Sequence, residues 1–304
     1  MVIQWYPGHM TKAKRMLAEN LKLIDVIIEI VDARAPISTR NPDFEELFEG
    51  KSRVVLLNKS DLADKSTTSA WISYFKNKGI SACEFVATNG AKKKAAIALI
   101  ENAAKEKVDK MLEKGVRKTV RAMIVGIPNV GKSTLINTIA GVARAQVGDR
   151  PGVTQGKQWV KINPYLELMD TPGLLWPKFE DETVAKRIAF IGSVKDDILD
   201  FETIAAMLLV ELMKKAPQKT VERYKKLTSD DDITTVLDRV CESRGFILSG
   251  RVYDTERAAR VVLDEFRAGK IAKISFESPH DILENTADDD CEQSQQEENS
   301  ADEN

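Results

Sequence analysis

The sequence predicts an α/β fold, a doubly wound and mostly parallel sheet, followed by a C-terminal all-helical domain and a disordered acidic tail. Three observations carry that prediction. Short apolar runs alternate with amphipathic stretches up to about residue 180, the pattern of successive strand–helix units. Beyond that point apolar residues recur only at three-to-four spacing, which is helical. The last segment, Asp281–Asn304, holds 10 Asp/Glu and no Lys/Arg, and it has too little apolar surface to offset the entropy of ordering. The expected limits are 1–180 for the α/β domain, 181–280 for the helical domain and 281–304 for the tail.

Taken in order, the pattern predicts a helix over Thr11–Leu21, a strand over Asp25–Val31, a helix near Pro42–Phe48 and a strand over Arg53–Leu57. A helix over Ser66–Lys78, a strand over Ile80–Val86 and one long helix over Lys92–Glu113 follow. Thr119–Val125 is the next apolar strand, Lys132–Ala140 opens a helix that Gly141 stops, and Gln158–Met169 reads as a hairpin. The helices expected after that are Glu182–Ile191, Asp200–Lys215, Glu222–Leu227, Ile233–Arg244 and Asp254–Ala268, the last with Asp254 as its N-cap and Gly269 as its stop.

The chemistry sits at the predicted strand ends. Gly126-Ile127-Pro128-Asn129-Val130-Gly131-Lys132-Ser133 follows a strand and opens a helix, the context in which glycine-freed N–H groups surround a phosphate and a lysine neutralises it. Ser133 would ligate Mg²⁺ through its hydroxyl, and Thr134 continues the nucleotide contacts. Taken alone, such a loop also occurs in many ATPases. Asn58-Lys59-Ser60-Asp61 narrows the choice: the Asp61 carboxylate can accept two hydrogen bonds from the guanine N1–H and 2-amino group, which adenine does not present. Asn58 would support the base edge and the stem of Lys59 would cover its face. Asp170-Thr171-Pro172-Gly173 supplies an aspartate to hold Mg²⁺ through water and a glycine N–H to sense a γ-phosphate. Thr154, in Arg150-Pro151-Gly152-Val153-Thr154, stands where a first switch would complete the Mg²⁺ shell, and Ala87-Thr88 would steady the guanine O6 through backbone N–H groups.

The order of these motifs is unusual. In an ordinary small GTPase the phosphate loop comes first and the base-reading segment late; here the base-reading segment precedes it, so the chain reads as a circularly permuted P-loop GTPase domain. Leu174, then Leu175 and Trp176, occupy the place of the glutamine that positions water in familiar GTPases, and a leucine cannot orient water. Besides Lys132, two residues offer compensation. Asn129 is similar to the asparagine by which potassium-activated GTPases hold K⁺ near the β/γ bridge, and His9 carries an imidazole able to orient or deprotonate water near neutral pH.

These motifs, with Trp5-Tyr6-Pro7-Gly8-His9-Met10 at the start and Asp32-Ala33-Arg34-Ala35-Pro36 after the first strand, resemble the YlqF/RbgA family of circularly permuted GTPases. The resemblance implies a role in late assembly of the large ribosomal subunit, with GTP hydrolysis triggering release from the particle, and a C-terminal helical domain that contacts ribosomal RNA. Many relatives have serine at the position of Ala87.

Composition agrees. The net charge of −2 hides an asymmetry: without the tail's 10 acidic residues, 45 Lys/Arg stand against 37 Asp/Glu, a body suited to a phosphate backbone. Basic residues cluster at Lys12, Lys14, Arg15 and Lys22, and again from Lys105 to Arg121, although such faces are also what solvent alone selects. No apolar run approaches the ~20 residues that span a bilayer, so no membrane partner is expected. Cys83, Cys241 and Cys291 form neither a disulfide framework nor a metal site, as in a reducing cytoplasm. The expected partners are GTP/GDP and the large ribosomal subunit with its rRNA, and the chain is expected to be a monomer. Two alternatives stay open: a permuted GTPase acting on the small subunit or another structured RNA, and a GTP-dependent binding protein whose hydrolysis is incidental.

Overall fold

The computed structural model describes residues 15–141, 158–171, 173, 181–194 and 200–281. Its strands are β1 Val26–Asp32, β2 Ser52–Asn58, β3 Ser81–Glu84, β4 Val120–Val125, β5 Gln158–Asn163 and β6 Leu166–Asp170. They form one sheet in the order β3-β2-β1-β4-β6-β5, parallel throughout except for β5, which pairs antiparallel with β6 as the predicted hairpin. Strand β1 is buried along its whole length and alternates strictly: Val26, Ile28 and Ile30 enter one apolar layer, while Ile27 and Val31 enter the layers on the opposite face. Glu29 shares that second face. It is accommodated by two guanidiniums, Arg40 at 3.1 Å and Arg53 at 3.0 Å.

The helices of the α/β unit are α1, described over residues 15–20, α2 Asp43–Leu47, α3 Lys65–Asn77, α4 Lys93–Ala103, α5 Lys105–Leu112 and α6 Lys132–Ala140. Ala96 and Ile100 of α4 and Leu135, Ile136 and Ile139 of α6 cover one face of the sheet, and Trp71 and Phe75 of α3 cover part of the other. The single helix expected over Lys92–Glu113 is two. α4 ends on the buried Ala104, and α5, which buries none of its residues, turns so that Lys107 reaches the Asp25 carboxylate at 2.5 Å. The periodicity of charged and apolar residues runs through the break, so nothing local announces it.

α7 Glu182–Phe190, α8 Phe201–Lys215, α9 Pro217–Arg223, α10 Val236–Arg244 and α11 Thr255–Arg267 form the helical part, with α8 packed on α9, α10 and α11. Asp254 caps α11 by accepting from the Arg257 N–H at 3.1 Å, and Gly269 follows with φ +70. The helix expected over Glu222–Leu227 begins earlier, because Pro217 is suited to a first turn. It stops at Tyr224, whose buried hydroxyl donates to Glu265 at 2.7 Å. α7 serves both parts: Ala185 and Ile188 join the sheet's core, Ala189 and Phe190 the helical one.

After α11 the chain turns back onto the α/β unit. The Phe276 N–H donates to Arg34 O at 2.7 Å, and Trp71 Nε1 donates to Glu277 O at 3.2 Å. The Glu277 carboxylate accepts from the N–H groups of Ile37 (2.7 Å) and Ser38 (3.0 Å), from the Ser38 hydroxyl and from Arg187 at 3.2 Å. At 4% exposure it is a buried acceptor on which four donors depend. Replacing Glu277 by Ala is therefore expected to cost ~3 kcal/mol, as removal of one member of a buried charged network does. Urea denaturation checks this, and a loss below ~1 kcal/mol would mean that water replaces the carboxylate.

Candidate functional site

The carboxyl ends of β1, β2, β4 and β6 open on one edge of the sheet, and neighbouring β1 and β4 mark the point from which the connections diverge, where doubly wound sheets hold ligands. The loop after β4 carries Gly126 to Gly131. Gly131 has φ +104, and a Cβ there would lie 2.3 Å from Asn58 Nδ2, so only glycine brings this loop against the end of β2. Lys132 opens α6, buried, its ammonium donating to the carbonyls of Gly126 (3.1 Å) and Ile127 (2.9 Å). Burial lowers its pKa to about 8 against the opposing pull of Asp170. The Ser133 hydroxyl donates to Asp170 Oδ2 at 2.9 Å. These two oxygen donors converge from α6 and the end of β6. Thr134 is half-buried in the first turn of α6, Val130 is wholly buried, and Gly173 lies so close to Pro128 that a Cβ would be 2.8 Å from its backbone.

Asn58 joins the two halves of the site. Its Nδ2 donates to Val130 O at 2.6 Å, and its Oδ1 accepts from the Ala87 N–H at 2.9 Å, so one buried amide links the phosphate loop, β2 and the loop after β3. The Ala87 N–H is thereby committed to Asn58. Ser60 fastens the same loop by donating its hydroxyl to Phe85 O at 3.1 Å. Asp61 is exposed beside it, and Thr88 lies at the exposed turn after Ala87. Lys59 sits at φ +57, a left-handed backbone, with its ammonium 3.0 Å from Asp32 Oδ2. Asn129 is left-handed too, at φ +58, and its Nδ2 donates to the carbonyl of Gly192, just past α7, at 2.8 Å. Two of the four left-handed non-glycine residues described thus lie in these loops, where strain collects at functional sites. His9 and Thr154 lie outside the described residues, as do Trp5–Met10, Arg150–Val153 and Leu174.

Sequence reasoning did not foresee what Asp32 and Arg34 do. Arg34 grips Asp32 in two parallel bonds, Nε to Oδ1 at 2.9 Å and Nη2 to Oδ2 at 2.8 Å, both side chains buried. Burial would raise the Asp32 pKa, but the charges of Arg34 and Lys59 outweigh it and hold the carboxyl well below the usual range. An acidic residue closing a mostly apolar strand, two residues before an arginine, was the available signal. Gly192 left no signal, since its part is played by a backbone carbonyl.

A glycine-rich loop between a parallel strand and a helix, joined to a base-reading loop from an earlier strand, defines a circularly permuted P-loop GTPase. The family described as 50S ribosome-binding GTPase matches residues 121–241. Ribosome biogenesis GTPase A of Bacillus cereus is 47% identical over 95% of this chain and 98% of its own length. Two solved structures of YlqF from Thermotoga maritima are similar in fold. The GDP-bound one has a TM-score of 0.62 at 26% identity, covering 86% of this chain and 98% of that one; the GNP-bound one has 0.61 at 27%, covering 88% and 98%. The chain belongs to the Ribosome biogenesis GTPase A family.

The Lys132 ammonium gives a pH signature. An anion brought to the loop stabilises the charged form, so binding takes up a proton wherever the free lysine is neutral, which is above about pH 8. Affinity for GDP is expected to be level below pH 8 and to fall by up to ~10-fold per unit above it. Titrations from pH 7 to 9.5 check this, and a flat profile would show that Lys132 stays charged in the free protein.

Proposed function

We propose that this GTPase of the ribosome biogenesis family binds the precursor of the large ribosomal subunit and couples GTP hydrolysis to a late step of its assembly. The observation that carries the nucleotide reading is the Asn58 amide, which draws the phosphate loop and the base-reading loop into one site. The large-subunit reading is supported by the family description, 50S ribosome-binding GTPase, and by the relatives named for ribosome biogenesis. GDP and GNP in the two YlqF structures support GTP and GDP as the ligands.

In this reading Asp61 reads the guanine edge, Lys59 covers its face, and Thr88 takes the O6 contact because the Ala87 N–H is committed to Asn58. The N–H groups from Asn129 to Thr134, with Lys132, hold the phosphates, and the Gly173 N–H senses the γ-phosphate. The hydroxyl of Ser133 and the carboxylate of Asp170, hard oxygens 2.9 Å apart, suit Mg²⁺, with Thr154 completing its shell in the GTP state. Bound there, the ion would neutralise charge between the β- and γ-phosphates. Because Asn129 Nδ2 donates to Gly192, a K⁺ contact of Asn129 would use Oδ1. His9 would position the attacking water. The α/β unit (1–180) turns nucleotide over, the helical unit (181–280) docks on rRNA, and the acidic tail (281–304) is dispensable for both. We place the protein in the cytoplasm as a monomer; no described helix is long and apolar enough to cross a membrane.

Base reading is tested by Asp61→Asn, which is expected to move preference from GTP toward xanthosine triphosphate, at a cost of ~1.5–3 kcal/mol in GTP binding for the lost charge-assisted pair. Unchanged GTP affinity would remove Asp61 from the base site.

The assembly reading is tested by turnover. The isolated protein is expected to hydrolyse GTP at ~10⁻⁴ to 10⁻² per second, faster with purified large subunits but not with small ones. His9→Ala should keep GTP affinity and lose ~10²-fold of the stimulated rate, and exchanging K⁺ for Na⁺ should slow the wild type but not an Asn129 variant. Equal stimulation by both subunits would count for a broader RNA target, and no stimulation by either for incidental hydrolysis.

A further inference from the structure

The base-reading loop is fixed from behind by residues with no place in the nucleotide site as described. Lys59 leaves β2 in a left-handed turn that sends its ammonium to Asp32 Oδ2, at the end of the neighbouring strand, 3.0 Å away. The backbones agree with that pairing, since the Ala33 N–H donates to Asn58 O at 2.8 Å. Asp32 has no freedom to follow Lys59. Its two oxygens take the paired bonds from Arg34 and a third from the Arg34 N–H at 3.0 Å, and its own N–H donates to the Thr39 hydroxyl at 3.0 Å.

Arg34 is fixed in turn by the helical unit. Its guanidinium lies over the Phe266 ring of α11, 5.3 Å from the centroid, and its carbonyl accepts from the Phe276 N–H. Phe276 packs on Phe266 and Phe190, with ring centroids 5.6 and 5.5 Å away. The neighbouring Ala35 belongs to the helical core. Past Lys59, the side chain of Leu62 fills the space over Gly269, at the end of α11, so closely that a Cβ there would meet it at 2.6 Å. Arg267 adds its charge to the field at Lys59. A buried, two-bond Arg–carboxylate pair is a rigid anchor, and an ammonium tied to it loses rotamer freedom before any ligand arrives.

We infer that Asp32 and Arg34 are positioning residues for guanine-nucleotide binding: they preorganise Lys59 against the base and tie its placement to α11 of the helical unit. The inference rests on the reading of Lys59 as the residue that covers the guanine face. It supplies a second link between nucleotide and helical unit, one that acts at the base and is blind to the γ-phosphate. An effect sent through it therefore changes GTP and GDP affinity alike, whereas the switches distinguish the two.

The test is a double-mutant cycle on the full chain, read by the binding of fluorescent GTP and GDP analogues, with folding verified by circular dichroism melts. Asp32→Asn is expected to weaken both nucleotides to the same extent, by about tenfold. Lys59→Met keeps a stem over the base but removes the ammonium and should weaken both as well. The double variant should then bind no worse than Lys59→Met alone, because Asp32 acts through Lys59. Arg34→Lys retains the charge beside Asp32 but gives up the paired geometry and the Phe266 face; it should weaken both nucleotides by ~3-fold or more, and it stands in if Asp32→Asn does not fold. Losses that add in full across the cycle, or that fall on GTP but not GDP, would overturn the inference while leaving the base site intact. Lys59→Met binding as the wild type does would overturn the base-site reading, and the inference with it.

Discussion

Two hydrogen bonds of one amide, Asn58 to Val130 O and from the Ala87 N–H, hold together a site whose pieces come from distant parts of the chain. The phosphate loop lies 72 residues beyond Asn58, across the intervening strand β1. A permuted order leaves no short connection between the base-reading and phosphate-binding loops, so their spacing is set by the sheet register and locked by this side chain. Its burial gives the lock its value: an amide inside the protein that lost either partner would forfeit its solvation as well. Gly131 is the other half of the same contact, because any larger residue would occupy the place of the amide nitrogen.

Around that lock the interior carries an unusual load of charge. Asp25, Glu29, Asp32 and Glu277 are all buried, and each faces cations: Lys107 and Lys118, Arg40 and Arg53, Arg34 and Lys59, and Arg187. Taking such charges from water is costly, and mutual attraction repays it only where geometry is close and the remaining lone pairs find donors. Apolar residues would give similar stability with less directional demand. What the charged groups provide is orientation, and three of the four sit where one element must be held at a fixed angle to another: Asp25 beneath α5, Asp32 between β1 and the base-reading loop, Glu277 between the C-terminal segment and the loop after β1.

The two units are interlocked rather than merely adjacent. α7 contributes side chains to both cores, Asn129 of the phosphate loop bonds to Gly192 just past α7, and Arg267 of α11 donates to the last carbonyls of α7, Ala189 at 2.9 Å and Phe190 at 3.1 Å. Through these contacts the end of α7 meets the phosphate loop, and α11 meets the residues behind the base-reading loop. Under the proposed function, in which nucleotide state is reported to a ribosomal particle, such connections would serve, since packed elements shift as units and do not deform smoothly.

The sequence by itself determined the class of fold and the places of the glycine-rich loop and the Asn-Lys-x-Asp at strand ends, because both are written locally. Strand and helix periods, a glycine-rich turn before a helix, and an Asn-Lys-x-Asp at a strand end are constrained by backbone geometry and ligand chemistry within a few residues. It also placed Asp254 and Gly269 correctly at the ends of α11. Left to the tertiary structure were the break at Ala104, the end of α9 at Tyr224, the commitment of the Ala87 N–H to Asn58, and the part played by Asp32 and Arg34. Each depends on a partner remote in sequence: Asp25 for α5, Glu265 for the end of α9, Phe266 and Phe276 for Arg34. A linear pattern shows that an aspartate closes a mostly apolar strand; only the folded chain shows which cation it must hold, because that choice is made by the register of β2 against β1 and by the seat of α11 against the loops that follow them.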